Sequence, residues 1–164
     1  HPTRLRSFTP EVALRTTLMV GSPRESEADF AALIEFVETS GLDHLGVFTF
    51  SAVQGSRAAR LPDPVSSAIK TRRRRRLLAL QKRVSRKRLK RYIGRIMPVL
   101  IDGEHPDTPM LLAGRLPSQA PEVDGMVIIN RGTASPGQII PVLITASHDY
   151  DLVGEVSTDP RSTG

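Results

Sequence analysis

The stretch RTTLMVGSPRESEADFAALIEFVETSGLDHLGVFTFS, residues 15–51, decides the fold of the first part of the chain. Its opening, RTTLMVG, is rich in β-formers and stops at Gly21, as a buried strand does. Ser26 with Asp29 three residues on resembles a capping box, with Asp in place of the usual Glu, and Ser22, Pro23 and Glu25 offer an earlier helix start. Phe30, Leu33, Ile34 and Val37 follow at i, i+3, i+4 and i+7, one face of a helix, and Gly41 suits its C-cap. HLGVFTFS, residues 44–51, predicts a second strand. A strand–helix–strand unit this short places the two strands parallel, with a right-handed crossover. Two parallel strands do not make a stable sheet alone, and residues 1–14 are too few to supply neighbours. The reading therefore expects a piece of a larger α/β domain. The absence of Met at position 1 and of an apolar leader in HPTRLRSFTP agrees with a start inside a longer gene product.

After the loop VQGSRAARLPD, Asp63 serves as an N-cap with Pro64 at N1, and a helix is expected to run to Ile93 with Gly94 at C′. Leu77, Leu80, Val84, Leu89, Tyr92 and Ile96 form its irregular apolar stripe. On it lies TRRRRRLLALQKRVSRKRLKRYIGR, residues 71–95, without one acidic residue. Residues 70–95 hold 14 of the 23 Lys and Arg, whereas residues 96–164 carry three basic and nine acidic residues, a net of −6. The overall net charge of +6 thus describes one segment. A solvated connector face and a nucleic-acid contact through Arg72, Arg73, Arg74, Arg75 and Arg76 are the two readings of the run. A membrane-surface helix is a distant third, because the stripe is irregular.

Beyond Gly94 short β-rich stretches alternate with Gly, Pro and Asp turns: RIMPVLIDG, MLLAGRL, DGMVIINRG, GQIIPVLITA and YDLVGEV. Five such strands predict a small closed barrel of the OB type, followed by a flexible tail. The aromatic content is 4% with no Trp, and the barrel is acidic, so phosphate binding and base stacking are disfavoured there. A basic protein partner fits better. Glu122, Asp124, Asp149 and Asp151 flank the ends of barrel strands and are the candidate docking charges, although turn chemistry explains Asp residues in such positions as well. The chain has no Cys, which excludes a thiolate-bound cluster or disulfide within these 164 residues. The four His residues are far apart in sequence, so no metal site is expected. No apolar run reaches the length of a membrane span, and a soluble cytoplasmic protein is the default expectation.

RTTLMVGSPRESEADF resembles the stretch R-T-T-x-I-V-G-F-P-G-E-T-x-x-D-F of the radical-SAM methylthiotransferases. GVFTFSAVQGSRAARLPD resembles the strand and loop that follow it there. LLAGRLPSQAPEVDGMVIIN and PVLITASHDYDLVG look like the C-terminal TRAM domain of the branch that methylthiolates an aspartate of a small-subunit ribosomal protein. The strings QAPEVDG and YDLVG are the specific part, and the likeness covers about residues 5–156. It implies α/β followed by all-β: the C-terminal remnant of a radical-SAM (β/α) barrel in residues 1–63, a basic connecting helix in 64–93, a five-stranded OB-like TRAM barrel in 94–156 and a flexible tail in 157–164.

The resemblance also implies S-adenosylmethionine (SAM) and two 4Fe–4S clusters in the parent enzyme, with Gly21, Glu25, Phe48 and Phe50 near the SAM adenine, and it makes ribosomal RNA beside the protein substrate the nucleic acid expected for the basic run. No catalytic residue and no cluster ligand falls in this chain, which alone is expected to be inactive. Ser22, Arg24 and Ser26 depart from the family's Phe, Gly and Thr. A tRNA-modifying sister branch and a non-enzymatic RNA-binding module are the competing readings.

Overall fold

The computed structural model describes residues 2–9, 12–62, 64–121 and 123–158. The chain divides into two compact units, His1–Val84 and Ser85–Gly164.

In the first unit, β1 (Arg15–Val20) and β2 (His44–Thr49) pair parallel around the helix α2 (Glu27–Ser40). The capping box is formed: the Asp29 N–H donates to Ser26 Oγ at 3.1 Å, and the Ser26 N–H donates to Asp29 Oδ2 at 2.9 Å. Gly41 ends α2 in the left-handed region, with φ 58°. The core gathers Val20, Phe30, Val37 and Val47 with Leu77 and Leu80 of α3 (Ser67–Leu89). Burying each of these side chains stabilises the unit by about 1.5–3 kcal/mol before entropy is counted.

Two expectations for this unit need correction. β1 is not a fully buried strand: Arg15, Thr17 and Met19 are exposed and alternate with more buried residues, because α2 and α3 cover one face only. α3 is also shorter than the expected helix. Asp63 lies outside the described residues, and the helix begins after Ser66, whose carbonyl accepts the Lys70 N–H at 3.0 Å. At its other end α3 tightens into a 3-10 turn, Lys90–Tyr92. The tighter turn leaves Tyr92 buried in the barrel core, while Ile96, expected on the helical stripe, opens a strand. One element was not foreseen. α1 (Pro2–Phe8) has no capping or periodic signature in the sequence, yet its Arg6 donates to the Gly41 carbonyl at 2.7 Å and to Asp43 at 2.6 Å.

The second unit contains β3 (Ile96–His105), β4 (Thr108–Arg115), β5 (Val127–Arg131), β6 (Ile139–Ser147) and β7 (Leu152–Val156). They close a barrel in the order β3-β4-β5-β7-β6, every pair antiparallel except β5 with β7. Each of the five predicted stretches supplies one strand. Val99, Ile101, Leu116, Val127, Ile129, Val142, Ile144 and Leu152 fill the interior with Tyr92. Part of the expected tail is held, since the Ser157 N–H donates to the Pro141 carbonyl at 2.8 Å; residues 159–164 lie outside the described residues.

The parallel pair is made possible by two loops that lock together. Asp124 Oδ2 accepts the Ala120 N–H at 2.7 Å, folding the turn before β5. Asp151 Oδ1 accepts the Met126 N–H at 2.9 Å, and the Leu152 N–H returns a bond to the Met126 carbonyl at 2.9 Å. Between them a Cβ on Gly125 would stand 1.9 Å from the Tyr150 carbonyl oxygen, a distance only glycine permits. Gly125→Ala should therefore destabilise the barrel by at least about 1–3 kcal/mol, the range for overpacking. Hydrogen exchange of β5 and β7 amides should show the loss, with the exchange of β1 and β2 unchanged.

Candidate functional site

The turn after β1 is fixed by backbone conformation and then by charge. Gly21 has φ 79°, and a side chain there would strike the Lys70 stem, its Cγ lying 2.3 Å from the Cβ position. Arg24 also sits in the left-handed region, at φ 68°, where the family that the sequence resembles carries Gly; a non-glycine residue there costs about 1 kcal/mol. Glu25 closes the loop on itself, its Oε2 accepting the Gly21 N–H at 2.7 Å.

The counter-ion comes from the basic run. Arg73 donates to Glu25 Oε1 at 2.6 Å, to the Glu25 carbonyl at 3.1 Å and to Glu27 Oε1 at 2.8 Å. Its guanidinium carbon lies 5.3 Å from the Phe30 ring centre. The Arg73 and Glu25 side chains are 4% and 8% exposed, so this is a buried pair. Burial works against the Arg73 charge, but the bonds it donates to Glu27 and Glu25 more than offset it and raise its pKa. Two neighbours also tie α3 to this unit. Lys70 Nζ donates to the Phe50 carbonyl at 2.9 Å and lies 5.1 Å from that ring's centre. Arg74 Nε donates to the Val47 carbonyl at 3.0 Å.

The four residues singled out near the adenine are thus placed differently. Gly21 and Glu25 hold the loop, and Phe50 is pinned by Lys70. Phe48 is presented outward: it is 60% exposed and pairs in register with Met19, itself 54% exposed. The two make an apolar ledge on the face of β1 and β2 that α2 and α3 do not cover. Sequence reasoning missed Met19 altogether, and it read Arg73 as one more RNA-facing arginine. The signal for Arg73 was present, because the spacing of Val84, Leu80 and Leu77, continued back by one step of four, lands on position 73.

In the second unit the docking candidates carry internal bonds. Asp124 and Asp151 hold the loops of the parallel pair, as described above, and Asp149 Oδ1 accepts from Arg86 Nε at 2.8 Å and from the same guanidinium's Nη2. Glu122 lies outside the described residues. Exposed acids of the barrel are instead Asp102, Glu104 and Asp107, at the β3–β4 hairpin, with Asp102 paired at 2.7 Å to Arg115 of the neighbouring strand. Among the described residues, no group of three or more His, Asp and Glu side chains is placed to hold a metal ion. No described helix is long and apolar enough to cross a membrane.

The TRAM domain family model matches residues 93–156, the region of the closed barrel. The ribosomal protein uS12 methylthiotransferase RimO of Syntrophobacter fumaroxidans is 53% identical over 93% of this chain. The RimO proteins of Anaeromyxobacter sp. (strain K) and Myxococcus xanthus are 49% and 46% identical over 96% of it. Over almost its whole length this chain is similar to RimO methylthiotransferases. It matches the C-terminal part of those proteins and spans about a third of their length, 33–34%.

Removing Arg73 strands a buried carboxylate. Arg73→Leu should destabilise the first unit by about 3–5 kcal/mol, as loss of one partner of a buried pair does. Faster hydrogen exchange in β1 and α2, with β3–β7 unchanged, is the expected readout. Acid should weaken the same region. The bond from Arg73 holds the Glu27 carboxyl below its ordinary pKa, and the bonds from Ser26 do so for Asp29. Their contributions are complete above the ordinary carboxylate values and are lost as pH falls through the lowered ones. Urea midpoints of the first unit should drop on acidification from neutrality to below about pH 4.

Proposed function

We propose that this chain forms the C-terminal part of an enzyme that adds a methylthio group to an aspartate of the small-subunit ribosomal protein uS12 in the cytoplasm. The similarity to RimO proteins over almost the whole chain carries this reading. In it, the β1–α2–β2 unit is part of the radical-SAM barrel and the TRAM barrel docks the protein substrate.

The residues present suit a SAM adenine in one respect. Phe48 and Met19 offer an exposed aromatic ring beside a thioether, a surface on which a purine can stack. They would hold the adenine, while Glu25, through Gly21 and Arg73, would keep the adjoining turn rigid. When bound, SAM supplies the methyl group and, after reductive cleavage, the radical that abstracts a substrate hydrogen. The two 4Fe–4S clusters need cysteines that are not among these 164 residues; we assign them to the part of the relatives that this chain does not span.

Docking follows from charge. The net of −6 over residues 96–164 steers a Lys- and Arg-rich ribosomal protein towards the barrel. The steering charges are Glu104 and Asp107, which are exposed, with Asp102, exposed but paired to Arg115, more than Asp124, Asp149 and Asp151, which are less exposed and carry bonds within the unit. The acidic barrel, with Tyr92 buried and Tyr150 its other aromatic residue, does not favour the tRNA-modifying reading.

Calorimetric titration of the chain with uS12 tests the docking half. Binding should weaken as salt rises, and Asp102→Asn/Glu104→Gln/Asp107→Asn together should weaken it about tenfold. Full uS12 affinity in the triple variant, or uS12 binding that does not weaken as salt rises, would overturn the assignment.

A further inference from the structure

We propose that the outward arginines of α3 grip the phosphate backbone of RNA. The run of five arginines is not one uniform patch. Arg73 faces inward to Glu25 and Glu27, and Arg74 is tied through Nε to the Val47 carbonyl. Arg72, Arg75 and Arg76 are exposed, as is Arg83, whose side chain is 76% accessible. At about 100° per residue, positions 72, 76 and 83 fall within about 40° of one another round the helix, with 75 about 60° to one side. The four span about 16 Å along the axis.

Charge on this face is only partly compensated. Residues 64–101 contain no acidic side chain. Glu27 lies within the field of Arg72 and Arg76 but is bonded to Arg73, and Glu38 stands 3.9 Å from Arg83. These two carboxylates face five guanidiniums, counting Arg73. The outward arginines contribute little to the fold: Arg76 places its guanidinium carbon 5.7 Å from the Phe30 ring centre, and the apolar packing of α3 rests on Leu77 and Leu80.

The partner that fits is a phosphodiester chain. One nucleic-acid strand carries a charge about every 3.4 Å, so a stripe of 16 Å meets about five phosphates. Guanidinium forks bind phosphate oxygens two at a time, a geometry that lysine cannot supply, and all four positions are arginine. A folded acidic protein presents its carboxylates neither so densely nor in so regular a line. The stripe draws on neither the acidic residues of the barrel nor the Phe48 ledge, so the proposal holds independently of methylthio transfer.

The test uses the whole chain and a fluorescein-labelled RNA hairpin of about 20 nucleotides, read by fluorescence anisotropy across a salt series. Four phosphate contacts predict a log–log salt slope of about −3. Arg72→Gln/Arg75→Gln/Arg76→Gln should lower affinity at least tenfold and flatten the slope by about two units. The corresponding Arg→Lys triple should keep the slope, because charge is retained. Arg131→Gln, on the barrel and 84% exposed, should change neither. Circular dichroism melts that coincide with the parent's show that the variants are folded; the substituted side chains are at the surface. An unchanged slope in the Gln triple, or polyglutamate of equal charge bound as tightly as the hairpin, would overturn the proposal.

Discussion

The ordering of the first unit depends on a positive charge placed inside it. Arg73 is on a helix many of whose arginines face solvent, but it occupies a position of the apolar stripe. A guanidinium there is tolerable only if its charge is met, and the β1–α2 turn gives its two terminal nitrogens the Glu25 carboxylate, the Glu25 carbonyl and Glu27. The turn in turn depends on the arginine, since Glu25 holds the Gly21 N–H with its other oxygen. Helix, turn and strand end are thereby fixed by one group. Buried ion pairs are weak contributors to net stability, but breaking one is costly, because it leaves a charge unpaired.

The barrel reaches a unique arrangement by other means. Its difficult step is to bring β5 beside β7 in parallel, a pairing that no tight hairpin can make. Asp124 and Asp151 each receive a backbone N–H, and Gly125 lets the two backbones approach. The strings QAPEVDG and YDLVG are the two segments that meet there. Closure of the barrel accounts for their Asp and Gly residues, which is why acids read as docking charges turn out to have internal partners.

Much of this was legible beforehand. The capping box at Ser26, the Gly41 cap, the parallel strands and all five barrel strands follow from periodicity and turn chemistry, which act over a few residues. The misses have a common cause: they are set by partners distant in sequence. A run of arginines does not reveal that one of them, Arg73, meets Glu25, 48 residues away. Period alone cannot say that β1 is covered on one face, nor that Arg6 will anchor α1 to the turn before β2. Of the site, the loop glycine was visible as pattern and Phe48 only through the family resemblance, whereas Met19 beside Phe48 needed the strand register.

The position of Tyr92 in the barrel core has a practical corollary. Both tyrosines of the chain, Tyr92 and Tyr150, belong to the second unit, all five phenylalanines precede residue 51, and there is no tryptophan. Phenol absorbance, emission and near-ultraviolet ellipticity thus follow the barrel alone. The strand–helix–strand unit is silent in the tyrosine bands, and its own near-ultraviolet signal is the weaker, shorter-wavelength one of phenylalanine. Each half of the chain thus carries its own spectroscopic label, without a single introduced chromophore.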